Sequence, residues 1–331
     1  MQKPLIFITL GDPAGIGPEV TAKSLKDIGD NYDYHTVVIG SYDVFKRTLD
    51  TCGINLKFNT IKSIEDLNKD NHSIHLLDLN NTTNELQMGK VDARAGKASV
   101  EWVLKAGELA SKITDSAIVT APINKEACTL AGYKDIGHME IFQSQTNSKE
   151  VATMLIADNL RVVHLTTHRS LRVACDYVTR ENVYNKIKLT HEYFVNCGFT
   201  NPKIAVSALN PHASDGGILG DEEAEQIKPA ITDAKAIGIN ATGPVPADTI
   251  FNQAIDGKYD VVLAMYHDQG HIPIKVHNWE KSISVNLGLP FVRTSVDHGT
   301  AFDIAGKGIA HHASMKEAIR IAVSLCVNKK L

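Results

Sequence analysis

The sequence predicts an α/β protein whose sheet is mostly parallel and covered by helices on both faces. Three observations predict it: short apolar, β-branched runs recur, helical periodicities fill several gaps between them, and a glycine-rich turn follows the first run directly. The runs lie at 5–10, 36–39, 117–120, 152–156, 162–167, 204–209 and 261–265, each bounded by turn residues as buried strands are. Between them, 99–113 places Val100, Val103, Leu104, Ala106, Leu109 and Ala110 at three- and four-residue steps, the spacing of one helix face. Segments 181–197, 222–237 and 314–327 read likewise as helices, and Ser314 with Glu317 has the spacing of a capping box. In parallel sheets ligands gather beyond the carboxyl ends of the strands. Chemistry is expected there.

The 331 residues, 43% hydrophobic, suffice for one large domain or two moderate ones. A formal charge of -4 produces no field that would gather polyanions, which argues against a nucleic-acid partner, so any phosphate must be bound locally. Cys52, Cys128, Cys175, Cys197 and Cys326 are odd in number and scattered, which fits neither a disulfide framework nor a thiolate metal site. A reducing compartment, the cytoplasm, is the expectation. The apolar run at 5–10 is too short for a membrane span or a signal core, and no membrane association is expected.

Three histidines stand just past three of the predicted strands: His168 after 162–167, His212 in Asn210-Pro211-His212 after 204–209, and His267 in Tyr266-His267-Asp268 after 261–265. Were those strands neighbours in one sheet, three imidazoles would meet at one edge, as they do around a catalytic divalent ion. One such histidine alone would be an ordinary loop residue. His164 sits inside a strand pattern, and His311 and His312 precede a helix, so they stay outside this group.

Gly11-Asp12-Pro13-Ala14-Gly15-Ile16-Gly17-Pro18-Glu19 opens a helix after the first strand. It could admit a ligand to the backbone, but it lacks the dinucleotide Gly-x-Gly-x-x-Gly order and the phosphate-loop Gly-Lys-Ser/Thr. A tight structural turn explains it equally well. The segment 297–308 is rich in small residues and could wrap a nucleotide or simply connect two elements. Lys275 and Arg293 are embedded in apolar, glycine-rich sequence, where an unneeded charge would be costly. That makes them candidates for binding phosphate or carboxylate, or for proton transfer. His138 and, less strongly, Lys125 are similar cases.

At these residues the chain resembles the 4-hydroxythreonine-4-phosphate dehydrogenase family of vitamin B6 biosynthesis. The resemblance runs nearly end to end. It rests on the Gly11 motif, Thr-Ala-Pro-Ile-Asn-Lys at Thr120, Gly-His-Met-Glu at Gly137, Thr-Thr-His at Thr166 and Asn-Pro-His at Asn210. Pro-Ala-Asp-Thr at Pro246, Tyr-His-Asp-Gln-Gly at Tyr266 and Arg-Thr-Ser-Val-Asp-His-Gly-Thr-Ala at Arg293 complete it. The resemblance implies an isopropylmalate-dehydrogenase-like fold, with two α/β domains and a cleft between them. The first would hold 1–125 with 290–331 on the nucleotide side, the second 126–289 on the metal and dimer side. It further implies a homodimer, NAD or NADP, and one divalent ion (zinc, magnesium or cobalt) on His168, His212 and His267, the last from the partner subunit. Implied substrate contacts are His138, Met139, Lys275, Ser284 and Arg293. The run 303–308 resembles the nucleotide loop of isopropylmalate dehydrogenases, which with its flank makes His298, Gly299, Ala301, Asp303 and Gly306 cofactor candidates.

Two positions depart from the family pattern, both in substrate motifs. Met139 stands where the family usually has threonine, and Ser284 where it has asparagine. The implied reaction is oxidation, with associated decarboxylation, of 4-phosphohydroxy-L-threonine to 3-amino-2-oxopropyl phosphate. Lys275 and then Asp248 are the candidates for proton transfer. The alternatives are a dehydrogenase of threonate or erythronate 4-phosphate, a metal-dependent phosphatase, and a non-catalytic metabolite sensor.

Overall fold

The computed structural model describes residues 3–29, 33–67, 74–82, 85–327 and 331. The chain divides into two units, one of Met1–Lys149 with Leu289–Lys329 and one of Glu150–Gly288. Strands and helices are numbered here in chain order through both units.

The first unit carries β1 (Leu5–Thr9), β2 (His35–Gly40), β3 (Phe58–Ile61), β4 (Ile74–Asp78), β5 (Ser116–Thr120) and β12 (Val292–Val296). They lie in the order β3-β4-β2-β1-β5-β12, and every pairing is parallel. β1 reads Leu-Ile-Phe-Ile-Thr with all five residues buried, the continuous apolar run of a strand covered on both faces. Helices α1 (Gly17–Ile28), α2 (Tyr42–Cys52), α3 (Ala93–Lys112), α4 (Lys125–Leu130), α5 (His138–Thr146) and α11 (Ala313–Val327) belong to this unit. The Asp92 side chain caps α3 by accepting from the Arg94 amide, leaving Trp102 fully buried with its indole N–H on Asn81 Oδ1 at 2.8 Å. Truncating Trp102 to alanine would cost about 3–5 kcal/mol. Gly96 lets α4 approach α3, since a Cβ there would stand 2.1 Å from the Ala127 carbonyl oxygen.

The second unit carries β6 (Ala152–Ala157), β7 (Leu160–His164), β8 (Ile204–Ser207), β9 (Ala241–Val245), β10 (Val261–Ala264) and β11 (Ile283–Leu287). Their order is β11-β6-β7-β10-β8-β9. The four strands β7, β10, β8 and β9 are parallel, while β6 runs antiparallel to both β7 and β11. Its helices are α6 (Leu171–Asp176), α7 (Arg180–Asn196), α8 (Lys228–Ala236), α9 (Ala247–Ile255) and α10 (His267–Asn278). Among the described residues no helix is long and apolar enough to cross a membrane.

All seven predicted strands form, and β3, β4, β9, β11 and β12 add to them. Ser314 is not an N-cap: α11 starts at Ala313, and the Ser314 hydroxyl instead accepts from the Asp297 amide at 3.4 Å. The predicted helix 222–237 opens with a wide turn over Glu223–Ile227 before α8 begins. The first unit runs on to Lys149 rather than stopping at 125, because α4 and α5 both pack on α3.

Candidate active site

In the second unit β7 and β8 flank β10 in parallel, so the segments leaving all three strands emerge at one edge. Hydrogen bonds continue beyond the strands: the Leu165 amide donates to Ala264 O at 2.8 Å, and Thr166 Oγ1 donates to Met265 O at 3.0 Å. Buried Gln269 links the next pair, accepting from the Met265 amide and donating to Ala208 O, both at 2.7 Å. The peptide ends that carry His168, His212 and His267 are therefore fastened to one another.

His168 and His267 come together, their ring centres 5.8 Å apart with planes inclined at 43°. A ring nitrogen sits about 2 Å from a bound divalent ion and the ring centre about 1.2 Å behind it, so two imidazoles sharing an ion place their centres roughly 5–6 Å apart. The pair fits that requirement. Both rings line an open pocket of about 370 Å³ that also includes Thr167, Tyr266 and Asp268. His267 Nδ1 lies 2.7 Å from Asp268 Oδ1, a contact that holds the proton on Nδ1 and leaves Nε2 as the ligand atom.

His212 is exposed and lies on an unusual turn. His212, Ala213, Ser214, Asp215 and Gly216 have φ of 53°, 55°, 71°, 43° and 73°, a left-handed run that residues with a Cβ rarely adopt. The buried carboxylate of Glu223 holds it. Its Oε1 accepts from the Leu209 amide at 2.8 Å and the Asn210 amide at 2.7 Å, and its Oε2 accepts from Asn210 Nδ2 at 3.0 Å and from the Ser214 hydroxyl. Burial alone would raise the Glu223 pKa, but these donors overcome it and hold the carboxyl below its usual range. Among the described residues of one chain, no three metal-competent side chains form a single cluster. The structure thus joins His168 to His267 and leaves His212 on its own loop.

Lys275, on α10, donates from Nζ to Ser282 Oγ at 3.1 Å. Asp248 is exposed in the first turn of α9, and Ser284 is half-buried on β11 opposite Leu155.

In the first unit Arg293, 5% exposed on β12, donates to Thr120 Oγ1 at 2.6 Å. Burial pushes its pKa down to about 9 although the Glu140 carboxylate opposes the change, so it is still a cation at neutral pH. His138 opens α5, with Met139 next. Burial, then the charges of Arg293 and Lys125, hold the His138 imidazole well below its usual value against the opposing pull of the Ala121 backbone. Its Nε2 is buried without a hydrogen-bond partner among the described residues. A buried guanidinium beside a neutral imidazole with a spare ring nitrogen suits an anionic ligand carrying a hydroxyl or phosphate oxygen.

The segment 297–310 lies against the glycine-rich turn of the same unit. The Ile16 amide donates to Thr300 O at 3.0 Å, and Lys23 Nζ donates to Gly308 O and Ala310 O, both at 2.9 Å. Glu19 Oε1 accepts from the Ala310 amide at 2.6 Å, tying α1 to the segment. Gly299, Asp303 and Gly306 are exposed, and His298 and Ala301 half-buried. Ala301 and Gly306 take φ of 41° and 77°, which turns backbone groups outward on a rigid base. The loop can present its amides and the Asp303 carboxylate to a nucleotide. Sequence reasoning gave no role to Glu223, which no motif marks, nor to Gln269, although it lies inside the Tyr-His-Asp-Gln-Gly motif. Only the fold shows what they hold.

The two α/β units share the fold of known dehydrogenases. A β-decarboxylating dehydrogenase from Thermococcus kodakarensis shares the fold at a TM-score of 0.50 and 14% identity, covering 98% of this chain and 83% of that one. A 4-hydroxythreonine-4-phosphate dehydrogenase structure from Klebsiella pneumoniae matches far more closely, with a TM-score of 0.88, 37% identity and 98% of each chain covered. A Fusobacterium nucleatum protein named "Putative D-threonate 4-phosphate dehydrogenase" is 44% identical over 328 residues, 98% of each chain. The family model of pyridoxal phosphate biosynthetic protein PdxA matches residues 33–322, and the chain belongs to that family. It is a dehydrogenase acting on a CH–OH group.

Proposed function

We propose that the chain oxidises the secondary alcohol of 4-phosphohydroxy-L-threonine with NAD or NADP, carbon dioxide being lost to give 3-amino-2-oxopropyl phosphate. The observation that carries this reading is the His168–His267 pair over an open pocket, in a chain of the PdxA family. A divalent ion (zinc, cobalt or magnesium) held by His168, His212 and His267 would supply Lewis acidity to the reacting hydroxyl and the oxygen formed from it. Arg293 and His138 bind the anionic end of the substrate and orient its carbon. Lys275, half-buried on the helix that begins at His267, takes the hydroxyl proton, whereas Asp248 lies exposed at a helix start. The nicotinamide nucleotide lies along His298, Gly299, Ala301, Asp303 and Gly306.

The working form is a homodimer in which a single metal site draws His212 and His267 from different subunits. α10, which begins at His267, and its C-cap residue Trp279 expose Ile272, Val276 and Trp279 at 58%, 82% and 62%, an apolar stripe at helical spacing. A second copy covering that stripe would bring its own residues to the end of the sheet where His267 stands.

A second reading, D-threonate 4-phosphate as substrate, is favoured by two observations. Met139 and Ser284 replace hydrogen-bonding side chains of the family pattern, and the Fusobacterium relative carries that activity in its name. The two substrates differ at C2, amine against hydroxyl. Initial rates of nicotinamide reduction with each, and with erythronate 4-phosphate, decide between them. A kcat/KM for 4-phosphohydroxythreonine at least tenfold above the others upholds the first reading, and the reverse order upholds the second. Phosphate release without nicotinamide reduction would overturn both.

A further inference from the structure

Behind the His168–His267 pair stand two more histidines that the proposed chemistry does not use. His271 lies one helical turn beyond His267 on α10, and the two rings stack with centres 3.6 Å apart and planes within 11°. On the inner side His164 of β7, 2% exposed, meets His271 at 4.6 Å and 51°. The row passes from an exposed pocket wall into the interior.

We propose that His271, backed by His164, is a positioning residue that fixes the plane in which His267 presents Nε2 to a divalent ion. This rests on the assignment of His267 as a metal ligand. Two parallel rings this close leave the outer one little freedom to turn, because rotation about its Cβ–Cγ bond would drive one edge into the neighbouring face. The backing ring is itself held. His271 Nδ1 lies 3.1 Å from the His267 carbonyl oxygen, one turn back in the helix. Gly270 seats the helix so closely on β7 that a Cβ there would come within 2.3 Å of His164 Nε2. Burial first, then the neighbouring His271, hold the His164 imidazole down at about 3, so it brings no positive charge towards a cation site. Asp268 fixes which nitrogen of His267 is free, and His271 fixes where that nitrogen points.

Cobalt(II) binding to the full-length protein tests this, by titration calorimetry and by the visible ligand-field spectrum. Wild-type protein is measured first, and absence of a bound-cobalt spectrum would overturn the metal-ligand assignment itself. Given wild-type binding, His271→Leu removes the flat face while keeping a good helix former, and His271→Phe restores a flat ring without the nitrogens. The expected result is an affinity about ten- to a hundredfold weaker with an altered spectrum for His271→Leu, and near-wild-type affinity and spectrum for His271→Phe. Wild-type behaviour of His271→Leu, or equal loss in both variants, would overturn the proposal. Thermal unfolding of each variant confirms that the comparison is between folded proteins, and His271→Met replaces His271→Leu should the latter not fold.

Discussion

Arg293, proposed to bind the anionic end of the substrate, shows how much of a side chain's setting composition hides. Its neighbours in sequence are apolar, which is why a charge there stood out, but only the fold shows it 5% exposed and donating to Thr120. Removing one partner of a buried charged hydrogen bond costs about 2–5 kcal/mol, so Arg293→Ala should raise KM for the phosphorylated substrate roughly thirtyfold or more. KM for the nicotinamide nucleotide should stay within about twofold, since the loss is confined to substrate binding. Steady-state kinetics with each substrate varied in turn checks this, and a change confined to the nucleotide would reverse the assignment. Asp12 carries a different signal. It is fully buried, its Oδ1 accepts from the Ala14 amide at 2.8 Å, and its Oδ2 has no partner among the described residues. Burial raises its carboxyl from 3.8 to about 6. A raised folded-state pKa means the native protein binds the proton more tightly than the unfolded chain. Its contribution is therefore greatest below pH 4 and is lost as pH rises through 6, a swing on the order of 3 kcal/mol. The gap in melting temperature between Asp12→Asn and wild type should shift in favour of the variant between pH 4 and pH 7. A gap independent of pH would mean that Asp12 does not titrate there.

At the scale of elements, the strands were readable because burial on both faces selects continuous β-branched runs, as in β1, β5 and β10. β3 and β9 escaped for the opposite reason. Phe-Asn-Thr-Ile is half exposed at a sheet edge, and Ala-Thr-Gly-Pro-Val holds the two residues that ordinarily end a strand. The histidines were legible as three residues past three strand ends, and β7, β10 and β8 are indeed neighbours. The turn that carries His212 was not legible, because nothing in Pro-His-Ala-Ser-Asp-Gly-Gly signals five successive left-handed residues. A buried carboxylate, that of Glu223 nine residues beyond Ser214, bonds to them and to the residues before them. Glu223→Gln keeps the shape of the side chain but replaces an acceptor oxygen with a donor facing other donors, the Asn210 amide group and the Ser214 hydroxyl among them. Amide hydrogen exchange at Leu209 and Asn210 should quicken about tenfold or more in that variant, with the β8 core amides unchanged. Unchanged protection at those two amides would show that the turn stands without Glu223.

At the scale of the whole molecule, the position of His212 argues for an assembly. One chain brings His168 and His267 within reach of a common ion and sets His212 apart on an exposed turn. The apolar stripe on α10 gives a second copy a reason to dock beside His267. Neither His212→Ala nor His267→Ala alone can then form a complete site. Mixed after partial unfolding and reassociation, the two inactive variants would pair at random, and half of the dimers would hold one of each. In such a dimer one site has lost both histidines and the other has lost neither, so the mixture should recover about a quarter of wild-type activity. Mixing His168→Ala with His267→Ala identifies the arrangement. Recovery there assigns those two ligands to different subunits, whereas continued inactivity assigns them to one, as their 5.8 Å approach within a single chain suggests. If His212→Ala and His267→Ala recover nothing on mixing while exchange of subunits is demonstrated by mass, each subunit must assemble its own ion site, and the shared-site dimer is wrong.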